Sequence, residues 1–219
     1  MKLVLEDVKY TYHSKYQSVQ ALNGISYTFL PGRFYAVIGK SGSGKTTLLS
    51  LLAALDQPTS GQILYEGTPT SQLDQNTYRQ EMVSMIFQSY NLLPLLTVVE
   101  NVSFPLELRG TPLKQARESA IYRLKQVGLS ESYYNRLPAM LSGGEQQRVA
   151  IARALSSNAR VILADEPTGN LDSENTRVVV ELLKKLAHEQ GYCVITVTHD
   201  LSIAGMADEV LSLKDGVLA

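Results

Sequence analysis

A glycine-rich loop near residue 40 constrains the fold of this chain more than any other feature of its sequence. The loop comprises Gly39, Lys40, Ser41, Gly42, Ser43, Gly44, Lys45 and Thr46. An apolar, strand-forming run precedes it at 34–38, and a helix-forming run follows it at 47–55. Glycines let backbone N–H groups curl around a polyphosphate, and the dipole of the following helix adds partial positive charge. Strand, loop and helix in this order therefore predict an α/β chain that binds a nucleoside triphosphate.

The polar side chains of this loop have distinct predicted tasks. Lys45 can reach the β- and γ-phosphates, and the Thr46 hydroxyl can ligate Mg²⁺. The alternative, a Gly/Ser turn followed by a solvated lysine, leaves the flanking strand and helix unexplained. The predicted nucleotide contacts are Gly39, Lys40, Ser41, Gly42, Ser43, Gly44, Lys45, Thr46 and Thr47.

A second apolar run, at 161–164, ends in two adjacent carboxylates, Asp165 and Glu166. Such a run suits a strand buried on both faces of a parallel sheet, and ligands bind at the carboxyl edge of such sheets. Asp165 is then placed to hold Mg²⁺ through its waters, and Glu166 to polarise the attacking water. Two acids that merely solvate a strand end are the alternative, but the phosphate loop favours a catalytic pair.

A further predicted helix start carries glycines next to a capping serine. Its sequence is Leu141-Ser142-Gly143-Gly144-Glu145-Gln146-Gln147-Arg148. Ser142 can cap the helix while the glycines expose N–H groups to an anion, although an ordinary capped helix reads the same way. The run resembles the signature motif of ABC-type ATPases, the subunits that power ATP-binding-cassette transporters. The resemblance implies that ATP is contacted by Ser142, Gly143, Gly144 and Glu145.

Other motifs of that family follow in the correct order over essentially the whole chain. Gln88 matches the Q-loop, the run 169–172 matches the D-loop with Asp172 at its end, and His199 matches the switch histidine. In the family reading, Gln88 touches Mg²⁺ or water, and His199 contacts the γ-phosphate and orients the water held by Glu166. A solvated amide and a strand-end histidine are the alternatives.

The adenine contact has three candidate tyrosines. Tyr12 stands where the family places an aromatic that stacks on adenine, and Tyr10 and Tyr16 are its rivals. An aromatic residue in a strand is often a packing residue. The resemblance favours Tyr12.

The resemblance also implies the architecture and the assembly. It implies a P-loop α/β fold with a mixed-sheet core, an N-terminal antiparallel β subdomain and an inserted α-helical lobe. We expect one ABC ATPase domain over 1–219, with the core at 1–88 and 158–219 and the lobe at 89–157. It further implies ATP and Mg²⁺ as cofactors, and a head-to-tail dimer in which each ATP lies between the loop of one copy and the signature of the other.

The lobe indicates a branch of the family. The run 87–102 resembles the branch that serves macrolide exporters, lipoprotein-releasing complexes and bacitracin-type peptide transporters. Its apolar residues 92–96 either pack inside the lobe or line a groove for a coupling helix of a permease. Two departures from the common pattern are Glu145, where many members have Gln, and Thr46, where Ser is commoner.

Composition agrees with this interpretation. The net charge of -1 and the pI of about 6.3 give no basic surplus, so we expect no nucleic-acid partner. The one cysteine, Cys193, lies in an apolar run and cannot form an internal disulfide, which fits the cytosol. No apolar run approaches the roughly 20 residues of a membrane span. We therefore expect a peripheral protein on the cytoplasmic face of the membrane that works with a separate permease.

Local patterns predict the remaining elements. We expect strands near 3–12, 21–29, 33–38 and 61–67, and a hairpin turn at Asp215-Gly216. A capping box predicts a helix from Thr97, Pro112 opens another that ends at Gly128, and a long helix spans 172–190.

Two other functions share these motifs. An ATPase of this kind can drive a membrane partner mechanically, in cell-wall control or antibiotic sensing, without transport. A soluble ABC-type ATPase of DNA repair or translation usually adds coiled coils, zinc cysteines or a second cassette, which this sequence lacks. A GTPase is disfavoured because no Asn-Lys-x-Asp motif occurs.

Overall fold

Two sheets organise residues 1–218, the part of the chain that the computed structural model describes. The strands are β1 (Leu3–His13), β2 (Ser18–Phe29), β3 (Phe34–Ile38), β4 (Ser60–Tyr65), β5 (Thr68–Pro69), β6 (Val83–Ile86), β7 (Val161–Asp165), β8 (Cys193–Thr198), β9 (Glu209–Lys214) and β10 (Val217–Leu218). One sheet is antiparallel, in the order β2-β1-β4-β5. The other has the order β10-β9-β3-β8-β7-β6 and is parallel except for the β9–β10 hairpin. The expected mixed sheet and antiparallel sheet are both confirmed.

The helices connect and cover these sheets. They are α1 (Lys45–Leu52), α2 (Gln75–Thr77), α3 (Val98–Leu108), α4 (Leu113–Gln126), α5 (Gly143–Ala154), α6 (Ser173–Gln190) and α7 (Leu201–Ala204). Short 3₁₀ turns lie at Thr70–Gln72, Glu131–Tyr133 and Pro138–Met140, and a π turn lies at Tyr78–Met82. Between residues 1 and 218, no helix combines the length and the apolarity that crossing a membrane requires.

The parallel sheet separates two apolar cores, and β7 shows how. Ile162 and Ala164 face a core built mainly from α3, α4, α5 and α6. Val161 and Leu163 face the opposite core, which contains α1 and the inner face of the antiparallel sheet. Since successive side chains of a strand point to opposite faces, a strand between two cores must be apolar at every position. This is why β7 reads as a continuous apolar run.

Local capping signals place several boundaries correctly. Thr97 caps α3 through a reciprocal capping box with Glu100, as expected. Asp172 caps α6, and Gly191 ends that helix in the left-handed conformation. The hairpin turn is confirmed, because Asp215 and Gly216 have φ values of 50° and 77°.

Four expected boundaries were wrong. Strand β4 ends at Tyr65 rather than 67, because Glu66 and Gly67 turn with φ values of 53° and 82°. Strand β2 starts at Ser18 rather than 21, because its pairing with β1 continues to the end of the hairpin. Helix α1 ends at Leu52 rather than 55, since Ala54 has a φ of 50° and breaks the helix. Helix α4 begins at Leu113, so Pro112 precedes its first turn.

Candidate phosphate-binding site

The glycine loop lies between β3 and α1, and close packing requires two of its glycines. Gly44 precedes α1 with a φ of 102°, and a Cβ there would lie 2.5 Å from the Ala21 carbonyl oxygen. A Cβ on Gly39 would lie 2.3 Å from the Leu213 carbonyl oxygen. No side chain caps α1. The first N–H groups of this helix are therefore free for an anion.

The Lys45 side chain folds back over the loop. Its Nζ donates hydrogen bonds to the carbonyl oxygens of Gly39 at 2.8 Å and Lys40 at 3.2 Å. The Ser43 hydroxyl is buried and has no hydrogen-bond partner among residues 1–218. An ammonium group held at the mouth of the loop and an unpaired hydroxyl beneath it both suit a ligand rich in acceptor oxygens.

The two carboxylates at the carboxyl end of β7 have different environments. Burial first, and then the neighbouring charge of Glu166, raise the pKa of Asp165 above its ordinary value, while Lys45 partly offsets them. Glu166 adopts a φ of 44°, a left-handed conformation that costs a non-glycine residue roughly 1–2 kcal/mol. Its N–H donates to the Val197 carbonyl at 3.0 Å, and its own carbonyl accepts from the Gly169 N–H at 3.0 Å. These bonds hold the strained residue in place.

His199 lies directly against Glu166. Its Nδ1 is 2.9 Å from Glu166 Oε1, and its backbone N–H is 3.4 Å from Glu166 Oε2. The imidazole is 71% exposed, whereas the side chain of Glu166 is only 16% exposed. The pair therefore leaves one ring nitrogen of His199 accessible from the cavity beside it.

One cavity of about 710 Å³ collects most of the predicted contacts. Its walls include Tyr12, Ser41, Gly42, Gly44, Lys45, Thr46, Thr47, Asp165, Glu166 and His199. A second cavity of about 850 Å³ shares Glu166 and His199 and continues over the 168–177 segment. The phosphate loop, both carboxylates and the histidine therefore meet at the carboxyl edge of the parallel sheet.

The structure distinguishes the three tyrosines. Tyr12 lines the cavity, is half-exposed, and its hydroxyl lies 3.2 Å from Thr47 Oγ1. Tyr10 packs edge-on against Tyr12 and donates to Asp56, a bond that raises the pKa of Tyr10 to about 12. Tyr16 is 90% exposed and outside this cavity. Of the three, only Tyr12 faces the space beside the loop.

The signature residues lie elsewhere, because none of 142–145 lines this cavity. Ser142 caps α5 in a reciprocal capping box with Glu145. Ser142 is exposed, Gly143 is half-buried and Gly144 is buried. A Cβ on Gly144 would lie 2.1 Å from Asn175 Oδ1, so packing alone requires glycine there. Partial burial by itself would raise the pKa of Glu145, but hydrogen bonds from the Ser142 backbone and from the Tyr133 and Ser142 side chains outweigh it and lower the value.

Gln88 and Asp172 also lie outside this cavity. A Cβ on Gly169 would lie 2.6 Å from Gln88 Nε2, and Asn170 Nδ2 donates to the Gln88 carbonyl at 3.2 Å. The Q-loop and D-loop residues therefore touch each other. Asp172 accepts hydrogen bonds from the Asn175 backbone and side chain, which lower its pKa. Its observed contact is a helix cap.

Three further wall residues escaped the sequence analysis. Val19, Gln20 and Ala21 line the cavity beside Tyr12. Only the register of β1 against β2, which pairs Tyr12 with Val19, brings them there. No local pattern in 18–29 marks them, so the sequence offered no signal.

Comparison with known proteins decides the family. The protein family described as "ABC transporter" matches residues 22–169, about two thirds of the chain. The chain belongs to the ABC transporter family. This ABC ATPase is 42% identical over 218 residues to the uncharacterized ABC transporter ATP-binding protein MJ0796 of Methanocaldococcus jannaschii, covering 97% of this chain and 93% of that protein. It is therefore the ATP-binding subunit of a transporter and hydrolyses ATP.

Two further similarities concern the branch and the fold. The macrolide export ATP-binding/permease protein MacB of Brucella melitensis is 44% identical over 215 residues, which cover 97% of this ABC ATPase but 33% of MacB. The solved dimeric structure of a post-hydrolysis state of MJ0796 bound to ADP and Pi has a TM-score of 0.89 and 39% identity, and covers 99% of this chain and 96% of that one. The expected ABC fold and the resemblance to the macrolide-exporter branch are both confirmed.

Proposed function

We propose that this ABC ATPase powers a separate membrane permease that exports or extracts a peptide, an antibiotic or a lipoprotein. The observation that carries the proposal is the 44% identity to MacB, whose name joins an ATP-binding part to a permease and of which this chain covers 33%. No helix within residues 1–218 could span a membrane. In this proposal a separate permease supplies the membrane path, and the ATPase works on the cytoplasmic face.

The nucleotide site needs a divalent cation beside the phosphates, and we propose Mg²⁺. Thr46 and Asp165 line the cavity together. Gln88, which does not line this cavity, is the third proposed ligand. No group of three or more His, Cys, Asp or Glu residues in 1–218 could hold a metal by itself. Mg²⁺ suits such a sparse donor set, since it usually keeps several waters and binds one carboxylate plus substrate phosphates. When bound there, it neutralises charge that develops on the phosphates.

Glu166 and His199 are the proposed catalytic pair, with Lys45 on the phosphates. The Glu166 carboxylate accepts the proton of the attacking water, and the His199 contact holds its orientation. If Nδ1 donates to Glu166, Nε2 can donate to the γ-phosphate only when the imidazole is protonated. Lys45 then exchanges its two loop carbonyls for phosphate oxygens.

Two copies complete the proposed site. Ser142 is exposed and does not line the cavity that holds Lys45, which leaves the start of α5 available to the nucleotide of a second copy. We propose that a head-to-tail dimer presents residues 142–145 and Asp172 of one copy to the nucleotide of the other. The triphosphate then bridges two helix N-termini and favours the closed dimer until hydrolysis removes the γ-phosphate.

A groove of about 230 Å³ is the proposed docking place of the permease. Met85, Pro105, Leu108 and Ala154 form its apolar part. Residues 92–96 do not line it: Leu92 packs against the helical core and Leu96 is half-buried, whereas Leu93 and Leu95 are exposed. The groove is therefore built from β6 and the ends of α3 and α5 rather than from the leucine run.

The test compares two equally exposed leucines. Leu108 lines the groove and is 70% exposed, while Leu113 lies outside it and is 69% exposed. Tagged Glu166→Gln protein with ATP and Mg²⁺ should capture a multi-span permease from detergent-solubilised native membranes. Adding Leu108→Asp should abolish capture, because a charge desolvated in an apolar contact is costly, and adding Leu113→Asp should not. Equal capture by both variants would reject the groove as the docking place. Recovery of soluble partners only would reject the proposal that the partner is a permease.

A further inference from the structure

The turn after Gln88 is strained. Tyr90 and Asn91 are consecutive non-glycine residues with φ values of 60° and 48°. Inside the turn, the Tyr90 N–H donates to the Phe87 carbonyl at 3.2 Å, and the Asn91 N–H donates to the Ser89 carbonyl at 2.6 Å. Left-handed residues of this kind persist only where their surroundings hold them.

One arginine holds both strained residues. Arg153, near the end of α5, donates from Nη1 to the Asn91 carbonyl at 2.6 Å and from Nη2 to the Tyr90 carbonyl at 2.9 Å. No carboxylate lies within 4 Å of its guanidinium in the described part of the chain. Burial lowers the pKa of Arg153, so its charge is placed there at a cost in solvation. The two carbonyls are the partners that offset this cost.

The same turn touches the signature and the D-loop. The Tyr90 hydroxyl would lie 2.8 Å from a Cβ on Gly143, so the ring rests against the start of α5. The Gln88 carbonyl accepts from Asn170 Nδ2 at 3.2 Å. Arg153 therefore ties one side of this segment to the end of α5, while Tyr90 ties the other side to its beginning.

We infer that Arg153 is a positioning residue for ATP hydrolysis, which keeps the 88–91 turn in its left-handed form and thereby fixes Gln88. The inference rests on the proposed role of Gln88. A planar guanidinium donates from two nitrogens held in a fixed fork, whereas a lysine ammonium donates from a single nitrogen on a flexible stem, so lysine is a poorer substitute at this position. Arg153 also lines the groove of this chain that we propose as the docking place of the permease, so a docked partner would contact the residue that holds the turn.

The first test measures the turn and the turnover together. Arg153→Met should speed amide hydrogen exchange of 89–92 about tenfold in the nucleotide-free protein, because the turn opens more often. It should lower kcat for ATP about tenfold and leave KM within about twofold, since a misplaced catalytic group costs rate while the phosphate loop is untouched. Arg153→Lys should fall between wild type and Arg153→Met.

A second substitution identifies the strain as the cause. Asn91 is exposed, and glycine tolerates a positive φ that alanine does not. In the Arg153→Met background, Asn91→Gly should recover part of both losses, and Asn91→Ala should deepen them. With Arg153 present, Asn91→Gly should stay within about twofold of wild type in both measurements. If Arg153→Met acted only by loosening the packing around α5, a glycine at position 91, 62 positions away in sequence, would recover neither loss.

Clear outcomes would overturn the inference. Wild-type exchange of 89–92 in Arg153→Met, or equal effects of Gly and Ala at 91, would show that Arg153 does not hold the turn. If Arg153→Met does not fold, Arg153→Lys with the two Asn91 variants carries the same test. Wild-type kcat in Gln88→Ala would instead reject the role of Gln88, and the exchange measurement would still decide whether Arg153 holds the turn.

Discussion

Helices α1 and α5 both begin next to glycines that a ligand could use, but their first turns differ. Helix α1 starts at Lys45 without a side-chain cap, and its start lines a cavity shared with Asp165 and Glu166. Helix α5 starts after Ser142, which caps it together with Glu145 and lies away from that cavity. The start of α1 shares its cavity with the candidate catalytic residues of its own chain, and the start of α5 does not.

This difference separates what one fold can assemble from what it must leave to a partner. The loop before α1 and the acids at the end of β7 meet at one sheet edge, because β3 and β7 are strands of the same parallel sheet with only β8 between them. Helix α5 belongs to the helical part of the structure, and its start does not line the cavity at this edge. A second copy is then the simplest source of the missing half, and three experiments test this comparison.

The largest expected effect is on the α1 side. Glu166→Gln should retain ATP binding but lower turnover by about 10²–10⁴-fold, because an amide cannot accept the proton of the attacking water. The ATP-bound dimer should then accumulate, since the step that separates it is blocked. ATP hydrolysis and size-exclusion chromatography with ATP measure the two effects.

A matched acid serves as the control for that experiment. Glu181 is exposed on α6, and Glu181→Gln should hydrolyse ATP at the wild-type rate. Near-normal hydrolysis by Glu166→Gln would exclude Glu166 as the essential base.

The second experiment tests whether the starts of α1 and α5 from two copies act on the same ATP. Lys45→Ala should stop turnover, and Ser142→Asp should do the same by placing a negative charge against the triphosphate while keeping a good helix cap. Mixing the two proteins should restore roughly a quarter of wild-type turnover, because half of randomly formed dimers are mixed and each has one intact site.

The control uses the other capping box of the chain. Thr97 caps α3 as Ser142 caps α5, so Thr97→Asp tests the same local change away from the proposed interface. It should keep wild-type turnover. If the mixture of Lys45→Ala and Ser142→Asp stays inactive although both variants are folded and still associate, the shared site is wrong.

The smallest expected effect concerns the adenine contact. Tyr12→Ala should raise KM for ATP about tenfold with little change in kcat, since base–aromatic stacking contributes about 1–3 kcal/mol. Tyr12→Phe keeps the ring and loses the contact with Thr47, so its KM should stay near wild type. Tyr16→Ala should change nothing, and an equal rise in KM for Tyr16→Ala and Tyr12→Ala would contradict the assignment.

Local signals predicted the elements well because their causes are local. The Thr97 cap, the end of the long helix at residue 190 and the Asp215-Gly216 turn depend on backbone geometry within a few residues, and all three are confirmed. The early end of α1 was missed because Leu48, Leu49, Leu51 and Leu52 continue an apolar pattern that Ala54 interrupts without any visible breaker. The placement of Val19 beside Tyr12 depends on the hairpin register instead.

The sequence by itself determined that a phosphate loop precedes a helix, that two acids end a buried strand, and that the chain carries the motifs of the ABC family. These follow from residue type and spacing along a few neighbouring positions. Only the tertiary structure decided that Glu166 meets His199, that Gln88 packs against Gly169, and that Arg153 donates hydrogen bonds to the turn after Gln88. Such contacts join residues 33 to 81 positions apart, and the folded sheets and helices, not any local pattern, bring them together.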